Sequence, residues 1–279
     1  MSAYKVSGGG NDFLALVEPD RDPLPEEIRA WCARRLSIGA DGVFSLRRRA
    51  EGELEMRHWN ADGQPAALCI NGTRCAARLG LELGWVREKF RIATDSGTFL
   101  ARSVAATEIA LTLPAPEGTP RKRRIDLGGT VCDGWFVKIG VPHFVVVVAG
   151  SLADVPVAEL GAALRGHADF APEGTNVDFV RFPDRHRLEI RTFERGVEAE
   201  TLACGSGVLA SVATGLQLDL AALPVSATTL GGFVLTVDGE TVDAAPRFWS
   251  LAGDARIVGA VEMRPEAGLP APPPPRWTA

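Results

Sequence analysis

Two cysteines occupy matched positions in two similar segments of the sequence. Asn60, which opens Asn60-Ala61-Asp62-Gly63, precedes Cys69 by nine residues, and Glu194, which opens Glu194-Arg195-Gly196, precedes Cys204 by ten. Small or polar residues and then an apolar run with helical spacing follow each cysteine, so each thiol is expected at a helix N-terminus. Unpaired N–H groups and the helix dipole lower the pKa of a thiol there. Such a pair suits a reaction in which one thiolate removes a proton from a carbon and the other thiol protonates the opposite face.

The residues after the two thiols are suited to holding a carboxylate. The helix N-termini at Ile70-Asn71-Gly72 and Gly205-Ser206-Gly207 offer backbone N–H groups to an α-carboxylate, and glycine permits close approach. Because the α-proton of an amino acid is weakly acidic, a carbanion-like transition state needs this electrostatic stabilisation. The proton transfer is physically reasonable without a cofactor.

Other residues allow both a structural and a chemical interpretation. His143, just before an apolar strand, either assists a thiol or merely caps the strand. The pair Glu194-Arg195 is either a surface ion pair or an acid/base group beside an arginine that binds a carboxylate. The asparagines in turn-like contexts, where asparagine is common for backbone reasons, are Asn11, Asn60 and Asn176.

The remaining cysteines and histidines carry no predicted chemistry. Cys32, Cys75 and Cys132 are interpreted as small buried hydrophobic residues. No metal site is predicted, because no second pair with metal-ligand spacing accompanies Cys69 and Cys75. The histidines interpreted as solvated or at the edge of the core are His58, His167 and His186.

Composition limits the classes of partner and compartment. A net charge of −5 and a pI near 5.5 argue against a nucleic-acid partner. No run approaches the roughly 20 apolar residues of a membrane span, and the first residues lack the apolar stretch of a signal peptide. The five cysteines are an odd number and widely spaced, which predicts free thiols in a reducing compartment. We therefore expect a cytoplasmic protein with no membrane partner.

Strands and helices alternate along the chain without a strict βαβ order. The proline- and arginine-rich segment 114–124 is interpreted as a solvated linker and as the domain boundary. This gives lobes at 1–116 and 117–254, with a strand at about 255–264 that can return to the first lobe, and a disordered proline-rich tail at 265–279. The cysteine segments favour an internal duplication, and a weaker match aligns Asn11 with Asn176. Helices are predicted at 25–36, 71–83, 156–164 and 205–216.

Eight motifs in order resemble those of diaminopimelate epimerases and together extend from about residue 5 to about residue 263. They are Gly10-Asn11-Asp12-Phe13, Gly39-Ala40-Asp41-Gly42, Asn60-Ala61-Asp62-Gly63, the run from Cys69 to Cys75, Pro142-His143, Asn176, Glu194-Arg195-Gly196 and Ala203-Cys204-Gly205-Ser206-Gly207.

The resemblance implies a fold, a reaction and a set of site residues. The fold is α+β, with two pseudo-symmetric lobes, each a curled mixed β-sheet around a central helix, and the active site between them. The reaction is the interconversion of LL- and meso-diaminopimelate without pyridoxal phosphate, a step in lysine and peptidoglycan synthesis. Cys69 and Cys204 match the two catalytic bases, assisted by His143 and Glu194. The positions that match substrate contacts are Asn11, Asn60, Ile70, Asn71, Asn176, Glu194, Arg195, Gly205 and Ser206.

Two departures from the family pattern concern the substrate. Ile70 stands where the family has glycine, and Val141 stands where it has asparagine. They favour a racemase of another amino acid on the same scaffold, whereas Glu194-Arg195 and the asparagines favour a diamino dicarboxylic acid. A thiol oxidoreductase is disfavoured because no closely spaced cysteine pair is present, and a non-catalytic binding protein is the remaining alternative. A homodimer stays open.

Overall fold

The computed structural model describes residues 2–49, 52–66, 69–113, 117–242 and 245–270. The chain forms two compact units, Met1–Thr98 with Arg256–Ala279 and Phe99–Ala255. None of the helices in the described ranges is both long enough and apolar enough to span a bilayer.

The first unit is a mixed sheet with a helix on each face. Its described elements are β1 (Ser2–Gly8), β2 (Asn11–Val17), α1 (Pro25–Cys32), β3 (Gly42–Arg48), β4 (Glu53–Asn60), α2 (Ile70–Glu82), β5 (Lys89–Thr94) and β17 (Arg256–Glu262). The strand order is β17-β1-β2-β3-β4-β5, parallel at β2/β3 and β4/β5 and antiparallel elsewhere. Side chains alternate between the faces, so Leu14 and Leu16 pack with α1 while Leu54 and Met56 contact α2.

The second unit repeats this construction and adds strands. Its described elements are β6 (Gly97–Ala105), β7 (Glu108–Leu113), β8 (Glu117–Asp126), β9 (Val131–Ile139), β10 (Val141–Val147), α3 (Val157–Arg165), β11 (Asn176–Asp184), β12 (Arg187–Glu194), β13 (Ala199–Thr201), α4 (Gly205–Gln217), β14 (Val225–Thr229), β15 (Val234–Val242) and β16 (Ala245–Asp254). The strand order is β8-β9-β10-β11-β12-β14-β15-β16-β7-β6, with β13 also beside β12. α4 packs on one face of β8 to β12, and α3 packs against β11, β12 and β13.

The two units share one order of elements and pairings. In each, an antiparallel pair is followed by a parallel, an antiparallel and a parallel pairing, so β1, β2, β3, β4 and β5 correspond to β9, β10, β11, β12 and β14. The predicted alignment of Asn11 with Asn176 is wrong, because Asn11 opens β2 whereas Asn176 opens the counterpart of β3. Since Phe13 pairs with Gly42 and His143 pairs with Asn176, the register makes Asn11 equivalent to Val141.

The segment predicted as a linker is largely a strand. β8 pairs antiparallel with β9, where Arg123 lies 4.5 Å from the ring centre of Phe136 and Lys122 lies 5.9 Å from that of Trp135. These cation–π contacts explain how a basic run is accommodated on a sheet. Residues 114–116 of this segment lie outside the described residues.

The compact units also divide the chain elsewhere than at the predicted boundary. The division lies between residues 98 and 99, because β7 pairs with β16 of the second unit. At the other end, β17 pairs with β1, and Pro265–Gly268 forms a 3₁₀ helix whose Ala267 carbonyl accepts a hydrogen bond from Ser37. That short helix corrects the prediction of a tail disordered from residue 265, while 271–279 lie outside the described residues.

Candidate active site

Cys69 is the N-cap residue of α2. Its backbone is extended, with φ −128° and ψ 97°, and its Sγ accepts a hydrogen bond from the Gly72 N–H at 3.3 Å. A Cβ on Gly72 would lie 3.4 Å from that sulfur and 3.3 Å from Met56, so glycine lets the first turn lie close beneath the thiol. The expected helix start is confirmed, and the thiol keeps partial exposure.

Two asparagines meet above the first turn of α2. Asn71 donates from Nδ2 to Oδ1 of Asn11 at 2.7 Å, and its own Oδ1 accepts from buried Arg74 at 2.7 Å. Asn11 in turn donates to Asp41 at 3.2 Å. The turn of Gly9, with φ +60°, brings the backbone to where a Cβ would lie 3.3 Å from Arg74. The predicted substrate residues Asn11 and Asn71 are therefore held by one hydrogen-bond network.

A charge cluster supports this network. Arg34 pairs with both Asp12 and Asp41, and Lys5 also pairs with Asp12. Burial opposes the ionisation of Asp12, but hydrogen bonds from Arg34 and Lys5 outweigh it and lower the pKa of Asp12 to about 2. Asp12 therefore stays ionised at neutral pH, and Arg34 holds Asp41 in position to accept from Asn11.

Cys204 is the N-cap residue of α4, but its side chain makes no capping hydrogen bond and its environment is more enclosed. It precedes Gly205 with φ −120° and ψ 110°, and its Sγ lies 3.5 Å from the hydroxyl of Ser206. The side chain is buried. Burial and the nearby charges of Glu194 and Asp178 raise the pKa of Cys204 well above its ordinary value. The helix N-terminus alone predicts the opposite direction, so burial and the two carboxylates dominate here.

Glu194 ends β12 and faces the same environment as Cys204. Its carboxyl accepts a hydrogen bond from the hydroxyl of Thr201. Burial raises the pKa of Glu194, and hydrogen bonds from Thr201 and Cys204 with the charge of His143 offset only part of that rise. A carboxyl with a raised pKa beside a protonated thiol is suited to exchanging a proton with it.

His143 lies on β10 in a fully buried polar cluster. Its Nδ1 lies 2.8 Å from Oδ2 of Asp178, whose Oδ1 accepts from the Thr192 hydroxyl at 2.8 Å. The other ring nitrogen, Nε2, is buried and has no hydrogen-bond partner within the described part of the chain. The sequence predicted a role for His143 but assigned none to Asp178 or Thr192.

The other predicted residues of the second unit form a local support. Asn176 donates to the Pro142 carbonyl at 3.0 Å and accepts from the Arg195 N–H at 2.9 Å. These bonds tie the start of β11 to the start of β10 and to the residue that follows β12. The Arg195 guanidinium donates to the Glu173 carbonyl at 3.0 Å. Gly205 is buried in the first turn of α4, whereas Ser206 is half-buried.

The remaining predicted residues of the first unit differ in exposure. Asn60 ends β4 and its side chain is exposed, while Ile70 opens α2 and is 5% exposed. Across the ranges that the structure describes, no group of three or more His, Cys, Asp or Glu side chains has an arrangement that could hold a metal ion.

A family model described as diaminopimelate epimerase matches residues 3–112 and 135–248. A diaminopimelate epimerase of Aquifex aeolicus is 36% identical over 253 residues, covering 85% of this chain and 90% of that protein. One from Chlorobaculum tepidum is 31% identical over 274 residues, covering 96% of both. The chain belongs to the diaminopimelate epimerase family.

Solved structures with the same fold carry other names. A PhzF-family phenazine biosynthesis protein of Enterococcus faecalis superposes with a TM-score of 0.71 at 17% identity, covering 94% of this chain and all of that one. A probable proline racemase of Agrobacterium radiobacter gives 0.70 at 16% identity, covering 96% and 95%. Together with the family match, they confirm the predicted α+β fold of two similar lobes.

Within the diaminopimelate epimerase family pattern, the departure at Val141 lies at the start of β10, two residues before His143. Its side chain is half-buried. The departure at Ile70 leaves the backbone N–H in the first turn of α2 and buries the side chain. Both departures therefore lie beside predicted site residues.

His58 is a residue whose environment the sequence did not reveal. It is buried, its ring meets Phe13 edge-on at 5.4 Å, and neither ring nitrogen has a hydrogen-bond partner among the described residues. Burial lowers the pKa of His58 to about 4. It lines a cavity of about 10 Å³ together with Cys69. The sequence feature that could have predicted its burial is its position on β4, two residues after Met56 and therefore on the same face of the strand, towards α2.

Proposed function

We propose that the chain interconverts LL- and meso-2,6-diaminopimelate by proton transfer at Cα between Cys69 and Cys204. The observation that carries the proposal is the pair of cysteines at the N-caps of corresponding helices in a chain of the diaminopimelate epimerase family. The substrate is a small amino acid, and the product differs only in configuration at one carbon.

The chemistry needs a thiolate on one face and a thiol on the other. In one direction the Cys69 thiolate removes the α-proton, the electron pair of the Cα–H bond stays on the substrate, and the Cys204 thiol delivers its proton to the opposite face. The raised pKa of Cys204 supports its assignment as the proton donor of the resting enzyme. The reverse direction starts from the other protonation state, in which the Cys204 thiolate removes the α-proton and the Cys69 thiol delivers its own proton to the opposite face. Between the two states Glu194 exchanges a proton with Cys204, and Cys69 exchanges its proton with water.

The first turns of α2 and α4 supply the charge stabilisation. Backbone N–H groups of Ile70, Asn71, Gly205 and Ser206 are placed at helix N-termini, where they bind carboxylates and oppose the negative charge that develops on the substrate. The remaining proposed substrate contacts are Asn11, Asn60, Asn176 and Arg195. Glu194 serves both as a substrate contact and as the group that exchanges a proton with Cys204.

The test is α-proton exchange in D₂O with separation of the stereoisomers. Purified protein is incubated with LL-diaminopimelate, and both loss of the α-proton signal and formation of the meso isomer are followed. Cys69→Ala and Cys204→Ala should each lower inversion by about a thousandfold or more, since a positioned acid or base contributes about 10²–10⁴ in rate. Cys132→Ala, which changes a thiol on β9, should keep wild-type activity.

Three results would overturn the proposal. Near-wild-type inversion by Cys204→Ala would exclude the two-thiol mechanism. Faster inversion of a monocarboxylic amino acid than of diaminopimelate would instead support the racemase alternative, and no exchange with any amino acid would support a binding protein.

The cellular setting is part of the proposal. Free thiols at Cys69 and Cys204 are required for both roles, which favours a reducing compartment such as the cytoplasm. Light scattering after size-exclusion chromatography tests whether the protein is a homodimer.

A further inference from the structure

His143 belongs to a buried polar cluster that also contains Asp178 and Thr192. Oδ2 of Asp178 lies 2.8 Å from His143 Nδ1, its Oδ1 accepts a hydrogen bond from the Thr192 hydroxyl at 2.8 Å, and at most 3% of any of these side chains is exposed. We propose that Asp178 is a positioning residue, which keeps the proton of His143 on Nδ1 and leaves Nε2 as the nitrogen that exchanges protons with a catalytic thiol. This inference rests on the proposed function, because it assigns a task to His143 in that reaction.

The internal repeat shows that the fold does not demand this cluster. In the first unit, Phe13 pairs with Gly42 and Phe44 pairs with His58, as His143 pairs with Asn176 and Asp178 pairs with Thr192 in the second. The corresponding first-unit residues are therefore Phe13, Phe44 and His58, whose rings pack on one another with centres 5.4 and 6.1 Å apart.

A packing of three aromatic rings without a carboxylate thus fills the same place in the first unit. Burying a carboxylate costs free energy unless hydrogen bonds and charges compensate. Since the first unit fills the equivalent place without a carboxylate, stability of the sheet does not account for Asp178.

The first turn of α4 is shaped around the carboxylate. A Cβ on Gly207 would overlap Oδ1 of Asp178 and would lie 3.2 Å from the Thr192 hydroxyl. Glycine therefore lets Asp178 lie directly against the helix N-terminus that Cys204 caps, where the helix dipole favours a negative charge. The acidic group is supported by the same turn that presents the thiol.

The geometry determines which ring nitrogen is reactive. An ionised carboxylate only accepts hydrogen bonds, so Nδ1 must carry a proton in the bond to Asp178. The lone pair of a neutral ring is then on Nε2. When Nε2 takes a proton from a thiol, the S–H bond breaks, its electron pair stays on sulfur, and Asp178 stabilises the resulting imidazolium. The proton returns by the reverse step, so no other reactant is needed.

The first measurement is the tautomer of His143 by ¹⁵N NMR of histidine-labelled full-length protein, assigned with His143→Gln. In the wild type, the neutral ring should carry its proton on Nδ1. In Asp178→Asn, the amide oxygen keeps the bond to Thr192 and the NH₂ faces the ring, so the proton should move to Nε2. A wild-type ring protonated on Nε2 overturns the proposal, and this result needs neither activity nor a folded Asp178→Asn variant.

The second measurement is a kinetic cycle with LL-diaminopimelate. Asp178→Asn should lower kcat by about 10²–10⁴ with KM within about threefold, because the wrong tautomer cannot accept the proton. In the His143→Gln background the same change should cost less than about threefold, since the residue it positions is gone. Phe44→Leu, at the matched place of the first unit, is the control and should keep kcat within about threefold.

The outcomes separate this inference from the proposed function. If Asp178→Asn keeps the wild-type tautomer, or costs as much without His143 as with it, Asp178 is not a positioning residue. If wild-type protein fails to epimerise diaminopimelate while the tautomer follows Asp178, the proposed substrate is wrong and the hydrogen-bonded pair stands.

Discussion

The two cysteines hold the same helix position but differ in what surrounds the sulfur. Cys69 is partly exposed and accepts from an amide of its own helix, whereas Cys204 is buried beside Glu194 and Asp178. A helix N-terminus favours a thiolate in both places, so the difference comes from burial and neighbouring charge. One thiol is thereby suited to begin as base and the other as acid.

Val141 is the residue at which the substrate assignment is most open to test. Its equivalent in the first unit, Asn11, bonds both Asp41 and Asn71. If diaminopimelate is the substrate, Val141→Asn should tighten its binding, because a hydrogen bond to a charged group contributes roughly 1.5–3 kcal/mol. Steady-state kinetics should show KM lowered by about ten- to a hundredfold.

The same variant is informative if it behaves otherwise. A loss of activity on a monocarboxylic amino acid, combined with no gain on diaminopimelate, would show that Val141 belongs to a pocket for another substrate. Val146→Ala, further along β10, provides the comparison for general effects on the strand.

His58 makes the stability of the protein depend on pH. Burial lowers its pKa from 6.5 to about 4, so the unfolded chain binds a proton between these values while the folded chain does not. The contribution of neutral His58 to the free energy of unfolding is therefore fully present above pH 6.5 and is lost as the pH falls towards 4. The loss amounts to roughly 3 kcal/mol at 1.36 kcal/mol per pH unit.

Urea unfolding at pH 7 and pH 4 measures this loss. His58→Leu lacks the titrating ring but keeps the same carboxylates, so its stability should fall by roughly 3 kcal/mol less over the same interval. An equal pH dependence in both proteins would show that His58 is protonated in the folded state.

At the scale of elements, the first turn of α4 combines a cap, a glycine contact and a buried carboxylate. Gly207→Ala should destabilise the protein by about 1–3 kcal/mol, because the new Cβ overlaps Asp178 and forces the turn or the strand to move. Thermal unfolding measures the effect. Gly166→Ala, at the C-cap of α3, is the matched control, since a Cβ there meets nothing within 4 Å.

If both alanine variants unfold at the same temperature, α4 accommodates the added Cβ without loss of stability. The close approach of Gly207 to Asp178 then does not require glycine. If Gly207→Ala alone is destabilised, its epimerase activity should fall as well, because the displaced Asp178 no longer holds His143.

Periodicity and turn residues predicted α2 and α4 to within a residue at each end, because their apolar runs begin after cysteines followed by small residues. β8 was missed, because its segment was interpreted as a linker. Its basic residues are stabilised by rings on the neighbouring strand, and local patterns carry no information about such partners. Helix α1 ends at Cys32, four residues early, since the amides of Leu36 and Ser37 turn back to the Ala33 carbonyl.

The residues of the candidate site also fall into those that the sequence predicted and those that it did not. The thiols, His143 and Glu194 stood out by motif. The role of Asp178 depends on a register between two strands, and that of His58 depends on burial, so neither follows from sequence spacing.

At the scale of the whole molecule, the first unit is discontinuous in sequence. β17 pairs with β1 and also contacts α2, the helix that Cys69 caps. A chain ending at Ala255 should therefore lose hydrogen-exchange protection in β1 and α2 while α4 keeps it. A chain ending at Pro270, which retains every element in the described ranges, should match the full-length protein. Unchanged protection of α2 in the shorter chain would contradict this expectation.

The pairing of Ser2 with Glu262 also sets an order of events on the ribosome. Residues 99–255 emerge as one continuous stretch, so the unit that contains Cys204 can complete its sheet during translation. The N-terminal unit must wait for β17, a delay of about ten to thirty seconds at ordinary elongation rates. During that interval the edge of β1 is open to other nascent chains. Slow codons ahead of β17, or chaperones that bind the waiting chain, would thus affect folding of the unit that contains Cys69 far more than folding of the unit that contains Cys204.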